Sequence, residues 1–221
     1  YEPQHIPRCT TARGVCTTGQ EVGELTMTAL APIVVETWGE FRVVRDDLVP
    51  GGTKERALRA WLPTIPQYEV VYASPVQGFA QYAIARAGSQ CSKRVSIFTA
   101  ERTIPHALTV LTSQAGAIMH YVTPGYLSNV TSKARAYANR VGARLLPLGI
   151  NDPGFIGAVA EVARSTEEQP IEVWCAAGSG VLARALKTAW PMAVVNAVQV
   201  GSDPDIGGAR LWVAPEEYDD G

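Results

Sequence analysis

The chain has 221 residues, a hydrophobic fraction of 47% and a charged fraction of 18%, which is the composition of an ordinary globular protein. Its formal net charge of -2 excludes a general attraction to nucleic acid or anionic membranes, although it is compatible with a local basic patch. No apolar run reaches the length of a transmembrane helix, and no basic segment followed by an apolar one marks a secretory signal. We therefore expect a cytoplasmic protein.

The first part of the chain differs from the rest. Residues 1–32 show no clear hydrophobic period and are rich in Thr, Gly and Pro, so we expect an extended N-terminal arm. The four cysteines stand at positions 9, 16, 91 and 175, and with three histidines they match no zinc-site spacing. The sequence therefore predicts no metal site.

From residue 33 onward, short β-branched or aromatic runs alternate with Ala-rich stretches that have helical spacing. The runs predict buried strands at 41–44, 68–72, 94–98, 118–122, 171–174 and 194–198. The stretches predict helices at 54–62, 78–87, 128–141, 155–164 and 181–189. This alternation indicates an α/β fold with mainly parallel sheets and flanking helices. Ligands of such sheets bind beyond the carboxyl ends of the strands, so functional residues should follow the strands.

The segment 45–54, Arg45-Asp46-Asp47-Leu48-Val49-Pro50-Gly51-Gly52-Thr53-Lys54, is the first functional candidate. In it a strand ends, glycines turn the chain, and Lys54 opens a helix. The helix dipole and partial burial both disfavour the ammonium form, so the pKa of Lys54 should fall. A lysine with a lowered pKa suits Schiff-base chemistry. The alternative is a solvated lysine in the first turn of a helix.

A second candidate follows the predicted strand 171–174, where Gly178, Ser179, Gly180 and Val181 lead into a helix. Small residues let backbone N–H groups converge on an anion, and the Ser179 hydroxyl can add a further donor. The turn lacks the three-glycine pattern of dinucleotide-binding loops. It therefore predicts a phosphate site of another kind, the alternative being a tight turn whose glycines serve packing alone.

Two further candidates follow other strands. Ser74, Gln77 and Gly78 lie in a polar loop after the strand 68–72, where they could hold a carboxylate. Taken alone, residues such as Ser74 and Gln77 are more often a helix cap and a surface amide. Tyr126 follows the strand 118–122 and could reach the same crevice as an acid–base group, with simple packing as the alternative.

The order of these segments resembles that of a known superfamily. Arg45-Asp46-Asp47-Leu48 followed by Gly51-Gly52-Thr53-Lys54 is similar to the cofactor-lysine segment of the tryptophan-synthase-β-like, fold-type II pyridoxal-phosphate (PLP) enzymes. The nearest forms are those of aminocyclopropanecarboxylate deaminase and D-cysteine desulfhydrase. The Gly178–Gly180 turn resembles the phosphate loop of the family, and the Ser74–Gly78 loop stands where the family has its substrate-carboxylate loop. The similar arrangement extends over about residues 33–201.

The resemblance implies a fold-type II PLP enzyme of reduced size. Residues 33–221 would form the PLP-binding catalytic region, with a smaller substrate-loop lobe at about 68–140 inserted in the larger cofactor lobe. PLP would be the cofactor, joined through a Schiff base to the catalytic Lys54 and contacted by Gln77, Gly178, Ser179, Gly180 and Val181. The substrate would contact Ser74, Gln77, Gly78 and Tyr126. The reaction would be of the lyase or deaminase type at the α or β carbon of an amino acid, in a homodimer.

The chain departs from the family in two places. Its loop Ser74-Pro75-Val76-Gln77-Gly78 replaces the family's Ser-Gly-Asn or Ser-Asn sequence, which puts an ordinary free amino-acid substrate in doubt. The family also continues well beyond the strand that matches 194–200, so the chain is either a pared-down member or an incomplete one. The residue that faces the pyridine nitrogen of the cofactor is not identified by the sequence.

Three other functions stay open. Short phage-encoded relatives are thought to modify amino acids attached to a thymidine-derived base in DNA, and a basic strip would suit that substrate. The candidates for such a strip are Lys93, Arg94, Arg102, Lys133, Arg135 and Arg140. The other two functions are a phosphate- or nucleotide-binding module without PLP, and a non-catalytic partner subunit.

Overall fold

The computed structural model describes residues 32–200 and 203–213. The expected N-terminal arm at 1–32, apart from Pro32, lies outside the described residues, as does the end of the region expected at 33–221. Within the described ranges, no helix is both long enough and apolar enough to span a bilayer.

The described chain begins with a β-hairpin. Strands β1 (Val35–Trp38) and β2 (Phe41–Val44) pair antiparallel with each other, and Gly39 in their two-residue connection has a φ of +61°. The prediction that 41–44 is a buried strand is wrong in its burial, because Phe41 is 61% exposed. A two-stranded hairpin has no second layer of its own to cover it. An ion pair of 2.5 Å between Arg42 and Glu168 joins the hairpin to the rest of the molecule.

The next part of the chain forms a four-stranded parallel sheet with the order β5-β4-β3-β6. Its strands are β3 (Glu69–Ala73), β4 (Arg94–Ala100), β5 (Ile118–Val122) and β6 (Arg144–Leu146). The helices that connect them are α2 (Ala80–Gln90), α3 (Ala107–Gln114) and α4 (Leu127–Val141). Another helix, α1 (Gly52–Trp61), precedes β3. The strands of this sheet extend from residue 69 to residue 146.

Both faces of this sheet are covered, which explains why its central strands are continuous apolar runs. Val70 and Tyr72 of β3 point into a core shared with α1 and α2. Val71 and Ala73, the alternate residues, pack in a separate cluster beneath α4. The period of two along β3 therefore places one helical layer on each side of the sheet.

The second sheet is parallel, three-stranded and covered on one face. Its strands are β7 (Glu172–Ala177), β8 (Val194–Gln199) and β9 (Arg210–Trp212), and its helices are α5 (Pro153–Arg164) and α6 (Val181–Ala189). Ala177, Val195 and Ala197 pack against α5 and α6 in the main core. On the open face, the half-exposed rings of Trp174 and Trp212 lie 5.1 Å apart.

Helix α1 connects the two sheets. It packs against α2 of the first sheet and against α5 of the second. Leu58 is fully buried in the core that these helices share, and the ring of Trp61 lies 5.6 Å from that of Phe155. The architecture confirms the predicted α/β class with parallel sheets and flanking helices.

Candidate functional site

The start of α1 determines where Lys54 lies. The backbone N–H of Gly51 donates a 2.9 Å hydrogen bond to Glu55 Oε2, and Gly52 adopts a φ of +61°. A Cβ atom on Gly51 would lie 2.5 Å from Glu55 Cβ and 3.3 Å from the backbone of Ala83 on α2. Glycine is therefore required at position 51, because a Cβ atom there would overlap Glu55, and favoured at 52 for its conformation. Together they place Lys54 in the first turn of the helix.

Asp46 fastens this turn from the preceding loop. Its carboxylate accepts a 2.6 Å hydrogen bond from Thr53 Oγ1 and a 2.7 Å bond from Arg56 Nε. The side chains of Asp46 and Arg56 are only 14% and 5% exposed. These bonds hold Thr53 and Arg56, which lie on either side of Lys54 in the sequence. Sequence analysis missed this function of Asp46, and the signal that could have revealed it is the acidic pair before the glycines.

Lys54 lines a cavity of about 120 Å³ between α1, α5 and the turn after β7. Phe155 and Val159 of α5 form an apolar wall of this cavity, and both are buried. Burial lowers the pKa of Lys54 below the ordinary lysine value, since removing water disfavours the ammonium form. The cavity therefore favours a neutral amine.

The glycine turn forms the opposite part of the same cavity, which is lined by Gly178, Ser179, Gly180 and Val181. Gly180 precedes α6 with a φ of +78°, and a Cβ atom there would lie 1.9 Å from the carbonyl oxygen of Asp205. No side chain of the described residues caps the N-terminus of α6. The first N–H groups of a helix need acceptors from outside it, and an anion in this cavity would supply them.

The predicted lysine and the predicted phosphate turn are therefore brought together by the fold. Lys54 belongs to a helix that precedes the first sheet, and the turn belongs to the second sheet, more than a hundred positions later in the chain. The cavity is smaller than the roughly 300–1,000 Å³ typical of small-molecule sites. It has room for an anionic group and a reactive amine together.

A second and larger cavity, of about 770 Å³, lies beyond the first sheet. Ser74 and Gln77, the residues predicted to hold a carboxylate, line it together with Arg102 and His106. Ser74 Oγ donates a 2.8 Å hydrogen bond to the carbonyl oxygen of Pro75. This loop is held from below by the fully buried Gln81, whose Nε2 donates to the carbonyl oxygen of Val76 at 3.0 Å. Hydrogen bonds from two side chains therefore hold the backbone of this loop beside the cavity.

The remaining predicted residues are placed differently. Gln77 and Lys54 line different cavities, so the structure does not bring the predicted cofactor contact of Gln77 to the lysine. Gly78 lines neither cavity; a Cβ atom there would lie 2.8 Å from Ser74 Oγ, so it allows the tight loop. Tyr126 is 88% exposed, between the lining residues Gly125 and Leu127.

The residues of the predicted basic strip that can be placed also lie in different surroundings. Arg102 lines the larger cavity. Lys93 Nζ donates to the carbonyl oxygens of Ile65 and Gln67, so its charge is held at the end of a loop. Arg94 lies 3.5 Å from Glu69, which offsets its charge. His106 was missed by sequence analysis; its Nδ1 accepts from the N–H of Leu108 at 3.2 Å and caps α3.

Known proteins were compared with the chain in sequence and in structure. No family profile matches the chain, and no curated protein matches it in sequence. A processed threonine deaminase isoform 2 from Solanum lycopersicum matches with a TM-score of 0.59 and 17% identity, over 79% of this chain and 51% of that protein. An ACC deaminase homologue matches with a TM-score of 0.66 and 14% identity, over 78% and 65%. A pyridoxal 5'-phosphate-dependent aspartate racemase matches with a TM-score of 0.59 and 16% identity, over 76% and 56%.

The chain thus spans between 51% and 65% of the length of these enzymes. At such sequence identities the likeness shows the fold and not the reaction. The matched proteins are a threonine deaminase, a homologue of ACC deaminase and a racemase, and the racemase is PLP-dependent by name. The chain has the fold of the fold-type II PLP-dependent enzymes, as its lysine and glycine segments predicted.

Proposed function

We propose that the chain is the PLP-binding region of an enzyme that acts at the α or β carbon of an amino acid, in a lyase or deaminase reaction. The observation that carries the proposal is that Lys54 and the Gly178–Val181 turn line one cavity. The two parts fit the two ends of PLP, because an amine reacts with its aldehyde and uncapped helix N–H groups bind its phosphate. One structural neighbour, the aspartate racemase, is PLP-dependent by name, which supports the same cofactor.

The residues of this chain would divide the work between them. PLP, when bound, supplies the electron sink that stabilises a carbanion at the substrate. The Nζ atom of Lys54, whose pKa burial lowers, would anchor the cofactor and take up and return the substrate's α proton. Phe155 and Val159 would exclude water from this amine. Ser74 and Gln77 line the other cavity, so they would contact a part of the substrate that lies away from Lys54.

Borohydride trapping tests the role of Lys54 directly. The purified protein is incubated with PLP, reduced with borohydride and digested, and the labelled peptide is identified by mass spectrometry. We expect the label on Lys54, together with a visible absorption band before reduction that Lys54→Ala loses. Lys133→Ala is the matched control, because Lys133 is exposed on α4, and this variant should keep both the band and the label.

Thermal stability separates this proposal from its rivals. A ligand that binds only the folded protein raises the unfolding temperature. Stabilisation by PLP in the wild type and in Lys54→Ala supports a cofactor site and shows that the variant folds. A protein stabilised by a nucleotide but not by PLP is instead a different phosphate-binding module. One that neither ligand stabilises is a non-catalytic partner, and a label on another lysine also rejects the assignment.

The larger cavity favours one particular alternative substrate, an amino acid attached to a thymidine-derived base in DNA. Its volume of about 770 Å³ is large for a free amino acid, and Arg102 is the charged residue of its lining. At the rim, Ile104 is 84% exposed and Tyr126 is 88% exposed. An aromatic side chain, an apolar one and a cation beside an open cavity would suit a base and a phosphate.

Paired ligands test this alternative. The PLP-loaded protein is titrated with an amino acid and with the same amino acid joined to a thymidine-type nucleotide, with the absorption band as the readout. We expect tighter binding of the nucleotide form, weakened about tenfold in Arg102→Gln but unchanged in Lys133→Gln, and reduced by salt. Equal affinities for the two ligands would leave the free amino acid as the substrate.

A further inference from the structure

Arg184 of α6 joins two loops that are far apart in the sequence. Its Nη2 donates a 2.5 Å hydrogen bond to Asn151 Oδ1, in the loop before α5. Its Nη1 lies 3.1 Å from Asp205 Oδ2, in the segment after β8. The arginine side chain is 19% exposed, so the bonds are partly shielded from water. Gly207 packs on the same side chain, because a Cβ atom there would lie 2.6 Å from Arg184 Cγ.

Each of these loops also contacts the glycine turn. Gly149, two residues before Asn151, approaches Ser179 so closely that a Cβ atom on Gly149 would lie 2.6 Å from Ser179 Cβ. The carbonyl oxygen of Asp205 lies against Gly180, where a Cβ atom would approach it to 1.9 Å. One guanidinium therefore holds the two segments that contact successive residues of the turn.

The position of Arg184 along α6 strengthens this connection. Its backbone N–H donates to the carbonyl oxygen of Gly180 at 3.1 Å, so the side chain projects from the first turn of the helix. The buried Nε of Arg184 has no hydrogen-bond partner within 32–200 and 203–213. A buried donor without a partner opposes stability, so packing alone does not explain an arginine at this position.

We infer that Arg184 is a positioning residue, which fixes the shape of the Gly178–Gly180 turn by clamping the loops of Asn151 and Asp205 against it. The inference rests on the proposed function, in which this turn binds the phosphate of PLP. Arg184 itself is not a residue of the 120 Å³ cavity, so it acts through the turn. Preorganised N–H groups bind an anion better than groups that must first be ordered.

The test compares PLP with pyridoxal, which has the same aldehyde but no phosphate. Dissociation constants of both ligands are measured for the wild type, Arg184→Gln and Asp205→Asn by absorption and fluorescence titration. We expect Arg184→Gln to bind PLP about tenfold more weakly and pyridoxal as before. Asp205→Asn, at a residue 66% exposed, removes the same ion pair with less risk to folding and should shift the PLP affinity in the same direction.

Two variants complete the design. Lys187→Gln removes a cation one turn later on the same helix, where Lys187 Nζ donates to the carbonyl oxygen of Pro191 at 3.5 Å, and should leave both affinities unchanged. The exchange Arg184→Asp with Asp205→Arg restores the ion pair and should recover part of the PLP affinity. An equal loss of affinity for PLP and pyridoxal, or unchanged binding in Arg184→Gln, would overturn the inference. A wild type that does not prefer PLP to pyridoxal would instead reject the proposed function.

Discussion

The side chain of Lys54 differs from the other described lysines in what surrounds its amine. Lys93 Nζ donates to two backbone carbonyl oxygens, and Lys133 is exposed on α4. For Lys54, burial is the cause of the lowered pKa, without a contribution from a charged neighbour. Because the pKa is lower in the folded state than in the unfolded chain, stability rises with pH between the two values. Because its pKa is lowered, the Lys54 amine is also neutral over a wider pH range than the amine of an exposed lysine.

Competitive chemical modification can measure this difference. An amine-specific acylating reagent is applied over a pH series, and the extent of reaction at Lys54 and Lys133 is followed by mass spectrometry. We expect the reaction profile of Lys54 to have its midpoint below that of Lys133, since only the neutral amine reacts. Midpoints are compared rather than rates, because burial also slows access. Coincident midpoints would show that the cavity does not lower the pKa of Lys54.

At the scale of elements, the loop between β2 and α1 is held by buried charges. Asp46 pairs with Arg56, and fully buried Glu55 lies 2.7 Å from Arg86 of α2. Such pairs contribute little net stability when both partners are present, but removing one leaves the other charge buried. The two pairs therefore fix the register of α1, and with it the direction of Lys54, more than they stabilise the fold.

Replacing Asp46 by Ala should show this effect. We expect the free energy of unfolding to fall by about 3 kcal/mol, as is typical when one partner of a buried ion pair is removed. Asp47→Ala is the control, since Asp47 is 59% exposed and its solvent-screened pair with Arg45 should contribute much less to stability. Urea unfolding measures both variants. An equal loss of stability in the two variants would show that the buried pair of Asp46 with Arg56 matters no more than an exposed one.

The sequence predicted most of the elements, with three of them at the observed bounds. Phe41–Val44, Ile118–Val122 and Val181–Ala189 match because each stands out from its flanking residues as an apolar or periodic segment. Helix α3, Ala107–Gln114, was missed, since its Thr and Val residues have the composition of a strand. Strands β6 and β9 have three residues each, too few for a period to be read. These short elements form only through pairing with strands from elsewhere in the chain.

At the scale of the whole molecule, α1 lies in the core that both sheets share. Leu58 is fully buried in the same cluster as Ile97 of β4 and Val195 of β8. The two sheets have no strand pairing with each other, so they are joined through helices. We therefore expect the described part of the chain to unfold as one cooperative unit.

Leu58→Ala tests the coupling between the sheets. The free energy of unfolding should fall by about 2–5 kcal/mol, the range for truncating a buried leucine. Hydrogen exchange, read by mass spectrometry, should accelerate in β4 and in β8 together. Leu48→Ala, at a position 57% exposed, is the control and should change stability by less than about 0.5 kcal/mol. Faster exchange in one sheet alone would contradict the shared core.

The site could be predicted from the sequence only in part. The order of the lysine segment and the glycine turn was readable because each has local conformational requirements, at Gly52 and Gly180 for example. The contacts of Gly180 with Asp205 and of Arg184 with Asn151 could not be predicted, because these residues are far apart in the sequence and no sequence motif links them. The separation of Gln77 from Lys54 into two cavities depends on the packing of the sheets.

That separation has a consequence for how such a protein can change. The walls of the larger cavity come from residues 74–130, and those of the smaller one from residues 53–54, 155–159 and 176–182. The two sets share no residue, so substitutions that reshape one leave the lining of the other intact. Natural evolution or a mutant library can therefore change the ligand specificity of the larger cavity while the residues that line the smaller cavity stay the same.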